Sequence, residues 1–210
     1  MSGDFFGAEF RNVGERMHNG KSVRVVAASR VFATTQDDLW DTLTNKDRLP
    51  RWFAPVEGAL EPGGHYQIQG NAKGKITHCD PPSAFDLTWV IFFNTSWVNV
   101  RLSPEESGTR LTLEHLMRKG FMSERHWKKF GPGATGVGWD IGFLSLGQYI
   151  DAPDAALDPK EQEAWMATDA GKTFLKLCAI AWGQSHAEAG EAKSHAEAAA
   201  ERTAKFYAGD

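Results

Sequence analysis

Few side chains in this sequence combine a reactive type with a telling position, and His115 leads them. In Leu111-Thr112-Leu113-Glu114-His115 a period of two places Leu111, Leu113 and His115 on one face of a strand and Thr112 and Glu114 on the other. A single imidazole on an apolar face has two readings. It is satisfied by a backbone carbonyl at the end of the sheet, or it contacts a ligand as one of the few polar groups in an apolar pocket. With a carboxylate or a phenol beside it, the ring would also suffice for general acid and base work, and the polar companions that register offers it are Asp140 and Tyr66.

Other chemistries find less. Ser145 lies in Phe-Leu-Ser-Leu-Gly rather than in Gly-x-Ser-x-Gly, and the acidic pairs Asp37-Asp38 and Glu105-Glu106 read as surface pairs. The segment Gly131-Pro132-Gly133-Ala134-Thr135-Gly136 matches Gly-x-Gly-x-x-Gly, but a dinucleotide-binding turn needs a strand in front of it. Here Ser123 to Phe130 carries Glu124, Arg125, Lys128 and Lys129 and no run of buried β-formers. A flexible loop leading into a helix is expected instead, and no cofactor. The 7 histidines are dispersed: His186 and His195 are nine residues apart rather than four, so no metal site is expected. Cys79 and Cys178 form neither a disulfide framework nor a zinc motif.

Composition sets the wider limits. With 210 residues, 41% of them hydrophobic and 24% charged, the chain is long enough for one domain with an appendage and too apolar to be disordered. Residues 1–150 balance 17 Lys and Arg against 16 Asp and Glu, and residues 151–210 hold 6 against 11, so no concentrated basic surface for nucleic acid is expected. The longest charge-free apolar run, Trp89 to Phe93, is far too short to span a bilayer, and residues 1–21 lack the pattern of a secretory signal. A cytoplasmic protein is expected.

The elements that must position these residues follow from period and punctuation. Ser22 to Phe32 reads as a strand, and Thr35 with Asp38 as the start of a helix that buries Leu39, Trp40 and Leu43, with a second short helix over Lys46 to Trp52. After Pro62-Gly63-Gly64 come strands over His65–Gly70, Lys75–Cys79, Phe85–Phe93, Trp97–Leu102 and Thr109–Leu116. Their connections are Gly70-Asn71, Asp80-Pro81-Pro82, Asn94-Thr95-Ser96 and Glu105 to Gly108, which makes a consecutive antiparallel sheet. One face carries Phe85, Leu87, Trp89, Ile91 and Phe93 together with Val98, Val100 and Leu102. Val137, Trp139, Ile141, Phe143, Leu144, Leu146 and Ile150 give the apolar stripe of a long covering helix.

Asp151 to Asp158 then reads as a linker, and Asp158-Pro159-x-Glu161 as a helix start with its N-cap. Phe174, Leu177, Cys178, Ala181 and Trp182 form a further amphipathic stripe that must be buried on its own domain or on a partner subunit. A final Ala/Glu-rich helix nearly repeats His-Ala-Glu-Ala at an offset of nine, which fits no repeat architecture.

Seven short motifs, in this order, resemble the SRPBCC superfamily, also called START or Bet v 1-like, and within it the homologues of the heat-shock protein 90 ATPase activator. They are Leu43-Thr44 with Trp52-Phe53-Ala54-Pro55, Pro62-Gly63-Gly64, Pro81-Pro82, Leu87-Thr88-Trp89, Gly108 to His115, and Gly138-Trp139. The resemblance covers about residues 22–150, leaving 1–21 as an N-terminal segment and 151–210 as a C-terminal helical extension. It implies an α+β helix-grip fold, an antiparallel sheet wrapped around a long helix, with an apolar cavity between them.

On that fold the expected function is non-catalytic binding of a small hydrophobic or aromatic molecule. Trp89, Phe93, His115, Trp139 and Phe143 would line the cavity, Tyr66 and Asp140 would be the polar companions, and Trp52-Phe53 would stand at the mouth as gate or plug. Two alternatives remain open. One is a cavity enzyme of cyclase or dehydratase type using His115; the other is a chaperone-partner module that makes contact through the acidic tail or through Arg125-His126-Trp127-Lys128-Lys129. A homodimer is a further expectation, because the stripe from Phe174 to Trp182 needs cover.

Overall fold

The computed structural model describes residues 7–154 and 159–209. The Asp158 N-cap and residues 1–6 of the N-terminal segment lie outside the described residues. Eight strands, β1 (Phe10–His18), β2 (Lys21–Phe32), β3 (Val56–Gly58), β4 (His65–Ile68), β5 (Lys73–Asp80), β6 (Ala84–Ile91), β7 (Asn94–Glu105) and β8 (Gly108–Arg118), are ordered β1-β2-β8-β7-β6-β5-β4-β3. The helices are α1 (Gln36–Thr44), α2 (Phe121–Phe130), α3 (Gly133–Asp151), α4 (Pro159–Met166), α5 (Asp169–Glu188) and α6 (Lys193–Ala208), with one 3₁₀ turn at Leu49–Arg51. The chain divides into two compact units: a first of residues up to 28, 119–144 and from 158 onward, and a second of 29–118 and 145–157.

The second unit is built around antiparallel β3 to β8. Register pairs Leu87 with Val98, Val98 with His115, Val100 with Leu113 and Leu102 with Leu111, so the expected alternation holds and these side chains share one face. Helix α1 begins as expected, with Thr35 Oγ1 accepting from the Asp38 amide at 3.3 Å, and lies against β7 and β8 with Trp40 edge-on to Phe85. Of the three side chains expected buried in α1, Leu39 is buried, while Trp40 and Leu43 are half-buried. The second short helix is only the 3₁₀ turn. Arg48 in front of it donates to Asp38 and Asp41 of α1 and to the Tyr149 hydroxyl.

One connection differs from expectation. Asn94, Thr95 and Ser96 belong to β7, and the hairpin turns at Phe92-Phe93, with Ile91 paired to Asn94. Phe92 has φ of 53°, a left-handed conformation that breaks the alternation before Phe93.

In the first unit α5 and α6 pack on each other, α6 on α2, and α5 on β1 and α4. Helix α6 also serves as the C-terminal cap of α2. His195 Nε2 lies 3.1 Å from the Lys128 carbonyl, Arg202 Nε donates to that of Lys129 at 2.6 Å, and Thr203 Oγ1 to that of Phe130 at 2.8 Å. These are last-turn carbonyls, which have no acceptor role left inside their own helix. The stripe on α5 is therefore covered within its own unit: Phe174, Leu175, Cys178, Ala179 and Trp182 are buried, whereas Leu177, expected on the stripe, faces outward because the buried face turns toward Leu175 and Ala179.

Candidate functional site

His115 is the centre of a small polar chain on the apolar face of the second unit. Its Nε2 lies 2.8 Å from Ser96 Oγ, and Ser96 donates to the Trp89 carbonyl at 3.0 Å. A carbonyl only accepts, so the single hydroxyl proton of Ser96 is committed to Trp89. With that proton given to Trp89, Ser96 accepts from a His115 ring protonated on Nε2. The Trp89 indole stands edge-on to the imidazole with centroids 6.0 Å apart, and Leu87, Val98, Val100 and Leu113 complete the face. Burial in these surroundings pushes the His115 pKa down to about 4, so the ring is neutral near pH 7.

The local sequence explains the arrangement. Val98 is opposite His115, and Ser96, two residues back on β7, is the diagonal neighbour that a long side chain can reach. Sequence reasoning missed Ser96 because it assigned the residue to a turn. The signal that would have found it is a Ser on the same strand parity as Val98 and Val100.

Tyr66 is buried on β4 and donates its hydroxyl to the Thr88 carbonyl at 2.7 Å, and burial raises its pKa. Gly74, its partner on β5, leaves the space beside that bond. The Trp52 indole is buried and donates Nε1 to the Thr42 carbonyl of α1 at 3.0 Å, with Phe53 half-buried beside it at a centroid distance of 5.3 Å. Phe93 is a correction. It was expected on the covered face, yet it sits fully exposed on the hairpin loop because the left-handed Phe92 ends the strand two residues early.

Trp139, Asp140 and Phe143 lie on α3 in the first unit. Trp139 is half-buried and Phe143 buried. Asp140 is 0% exposed, and its role differs from the one expected. Oδ1 accepts from the Ala8 amide at 2.6 Å and from Arg11 Nη2 at 2.7 Å; Oδ2 accepts from Trp182 Nε1 at 2.8 Å and from Arg11 Nε at 3.3 Å. Four donors, from β1, from Ala8 two residues ahead of it and from α5, thus converge on this carboxylate, which joins three distant stretches of chain. It is a structural centre of the first unit rather than a companion of His115.

The glycine run is used for packing. Gly131 ends α2 with φ of 61° and lies against His186, Gly133 against Thr203, and a Cβ on Gly136 would stand 2.1 Å from the Trp182 ring. These glycines admit helices and an indole at close range, a different use from cradling a phosphate. The turn also follows a helix rather than the strand a nucleotide site requires.

The offset of nine between the His-Ala-Glu-Ala segments has a local consequence. Gly190, with φ of 101°, reverses the chain between α5 and α6, and Glu191 then lies 3.6 Å from His186 Nε2 and 3.2 Å from His195 Nδ1. No group of three His, Cys, Asp or Glu side chains suited to a metal ion occurs among the described residues. The basic stretch from Arg125 to Lys129 lies on α2, and its Trp127 is held between the Arg24 guanidinium and the His186 ring.

An eight-stranded sheet with a long helix after its last strand, and a polar centre on an apolar sheet face, define an α+β protein of the helix-grip class. The chain belongs to the family described as Activator of Hsp90 ATPase homolog 1-like protein, whose profile matches residues 33–151, more than half the chain. Among solved structures it is similar to CalU16 from Micromonospora echinospora. The solution structure of that protein has 27% identity and a TM-score of 0.70, covering 90% of this chain and 98% of that one. Its crystal structure has 28% identity and a TM-score of 0.60, covering 82% and 96%. A match over 90% of the chain takes in most of the residues outside 33–151. MLL2253 from Mesorhizobium loti shares the fold at 22% identity and a TM-score of 0.53, covering 61% of this chain and 97% of that one. No curated protein matches the chain. No helix among the described residues is long and apolar enough to cross a membrane.

Proposed function

We propose that the protein binds a small hydrophobic or aromatic molecule, without transforming it, on the apolar face of β6 to β8, with His115 orienting the molecule's polar end. The observation that carries this reading is the neutral, Ser96-anchored imidazole set among Leu87, Trp89, Val98, Val100 and Leu113. An apolar site needs few polar groups, held in fixed orientation, to give a ligand direction, and a histidine fixed in one tautomer meets that need. Burial of apolar ligand surface, at about 25 cal/mol per Å², would supply most of the affinity. In this reading Trp52 and Phe53, in ring contact with each other, keep the part of gate or plug at the mouth, and Tyr66 is a polar companion whose hydroxyl is already engaged by the Thr88 carbonyl. Asp140 drops out of the ligand set because its four bonds are made elsewhere.

Native mass spectrometry of gently purified protein tests the proposal. A non-covalent mass of a few hundred daltons that is released on denaturation supports it, and turnover of the released compound would move the reading to the enzyme. A bare chain that also fails to take up apolar fluorescent probes contradicts it.

A further inference from the structure

The β6–β7 hairpin carries the most exposed large apolar side chains of the described structure. Phe93 is 104% exposed and Phe92 91%, with Ile91 at 41% completing the tip. A two-residue hairpin loop with positive φ at its first position ordinarily has glycine there. Phe92 at 53° occupies that position instead, so the loop adopts a backbone unfavourable for a bulky side chain and holds two phenyl rings in water. Neither choice helps the fold.

Just behind the tip the same sheet is basic. Val90, next to Ile91, is paired with Lys73 of β5, and Lys75 is paired with His65 of β4. Lys73, Lys75 and His65 line an open groove of about 500 Å³ on the face opposite His115, together with Gln67, Thr88 and a single acid, Glu57. Neither lysine is in an ion pair among the described residues, and both are exposed.

We propose that this hairpin is a peripheral membrane-docking element for bilayers rich in anionic lipid. Phe92, Phe93 and Ile91 enter the boundary of headgroups and acyl chains, while Lys73 and Lys75, with long flexible stems, meet the phosphate and carboxylate headgroups at the surface. Apolar tip and cations lie one strand apart, which is the order of depth a membrane surface presents. The inference does not depend on the interior site, and a carrier of apolar molecules would gain from it a place to load or unload.

Vesicle flotation of the full chain provides the test, using phosphatidylcholine alone and phosphatidylcholine mixed with phosphatidylserine. The protein should float with the mixed vesicles, less so in high salt, and only weakly with phosphatidylcholine. The K73Q/K75Q variant should bind about twenty-fivefold more weakly, at about fivefold per lysine. The F92G/F93S variant should lose binding while its melting temperature holds or rises, because glycine relieves the loop backbone. Three results would overturn the proposal: no flotation with either vesicle, flotation unchanged by F92G/F93S, or a self-association without lipid that this variant abolishes, which would make the tip a contact between copies of the chain.

Discussion

Two buried polar groups, one in each unit, are treated in opposite ways. Asp140 in the first unit is ionic and surrounded by donors, with a guanidinium, an indole and a backbone amide on its two oxygens. His115 in the second unit is neutral, and burial keeps it so. A carboxylate away from water is tolerable only when fully hydrogen-bonded and paired, so such a group ends up as a tie between segments. A neutral imidazole has a smaller desolvation cost and can stand on an apolar face without a counter-ion, which is the condition for recognising something other than the protein itself. Sequence position alone would rank the two alike, since each interrupts an apolar pattern.

That contrast can be broken most forcefully at Asp140. Asp140→Leu leaves Arg11, the Trp182 indole and the Ala8 amide without their acceptor. A loss of about 3–5 kcal/mol is expected in urea unfolding, with little reason for ligand uptake to change in whatever remains folded. Acid should expose His115 next. An unfolded histidine takes its proton near 6.5, whereas the folded ring resists until about 4. Between these values the unfolded chain binds more protons, so stability is intact above 6.5 and falls as pH drops toward 4, by about 3 kcal/mol in total. His115→Leu removes that component, and the stability difference between wild type and variant should shift by this amount between neutral pH and pH near 4. An identical acid dependence in the two proteins would mean that the ring is not held neutral by burial.

Ser96→Ala sharpens the same point on a smaller scale. It takes the acceptor from His115 Nε2 and should cost about 1–3 kcal/mol, measurable in the same unfolding series. Glu191→Gln, between His186 and His195 on a partly exposed turn, should cost less than about 1 kcal/mol.

The same contrast separates what the sequence could reveal from what it could not. Strand alternation through Leu87, Trp89, Val98, Val100, Leu113 and His115 was legible because one face of β6 to β8 is buried and the other is polar, so a wrong register would invert every side chain. Thr35 capped its helix as its spacing implies. Strand β1 was not legible: Phe10 to His18 is a sheet-edge strand with only Val13 buried, and its charged residues mask the period. The β6–β7 turn was misplaced because Phe92 stands where turn chemistry calls for glycine, and the polar Asn94-Thr95-Ser96 beside it reads more like a loop. Asp140 was misassigned for another reason. Its partners are Ala8, Arg11 and Trp182, more than forty residues away in either direction, and no local pattern announces such a meeting.

The most direct measurement of the central claim is nitrogen-15 NMR of the His115 ring during titration with 1-naphthol, an aromatic probe with one hydroxyl. The account predicts a neutral ring with its proton on Nε2 before ligand is added, and a shift of its Nδ1 resonance as the probe binds, while His186 stays still. A ring that is protonated near pH 7, or one whose resonances do not move although the probe binds, would contradict it.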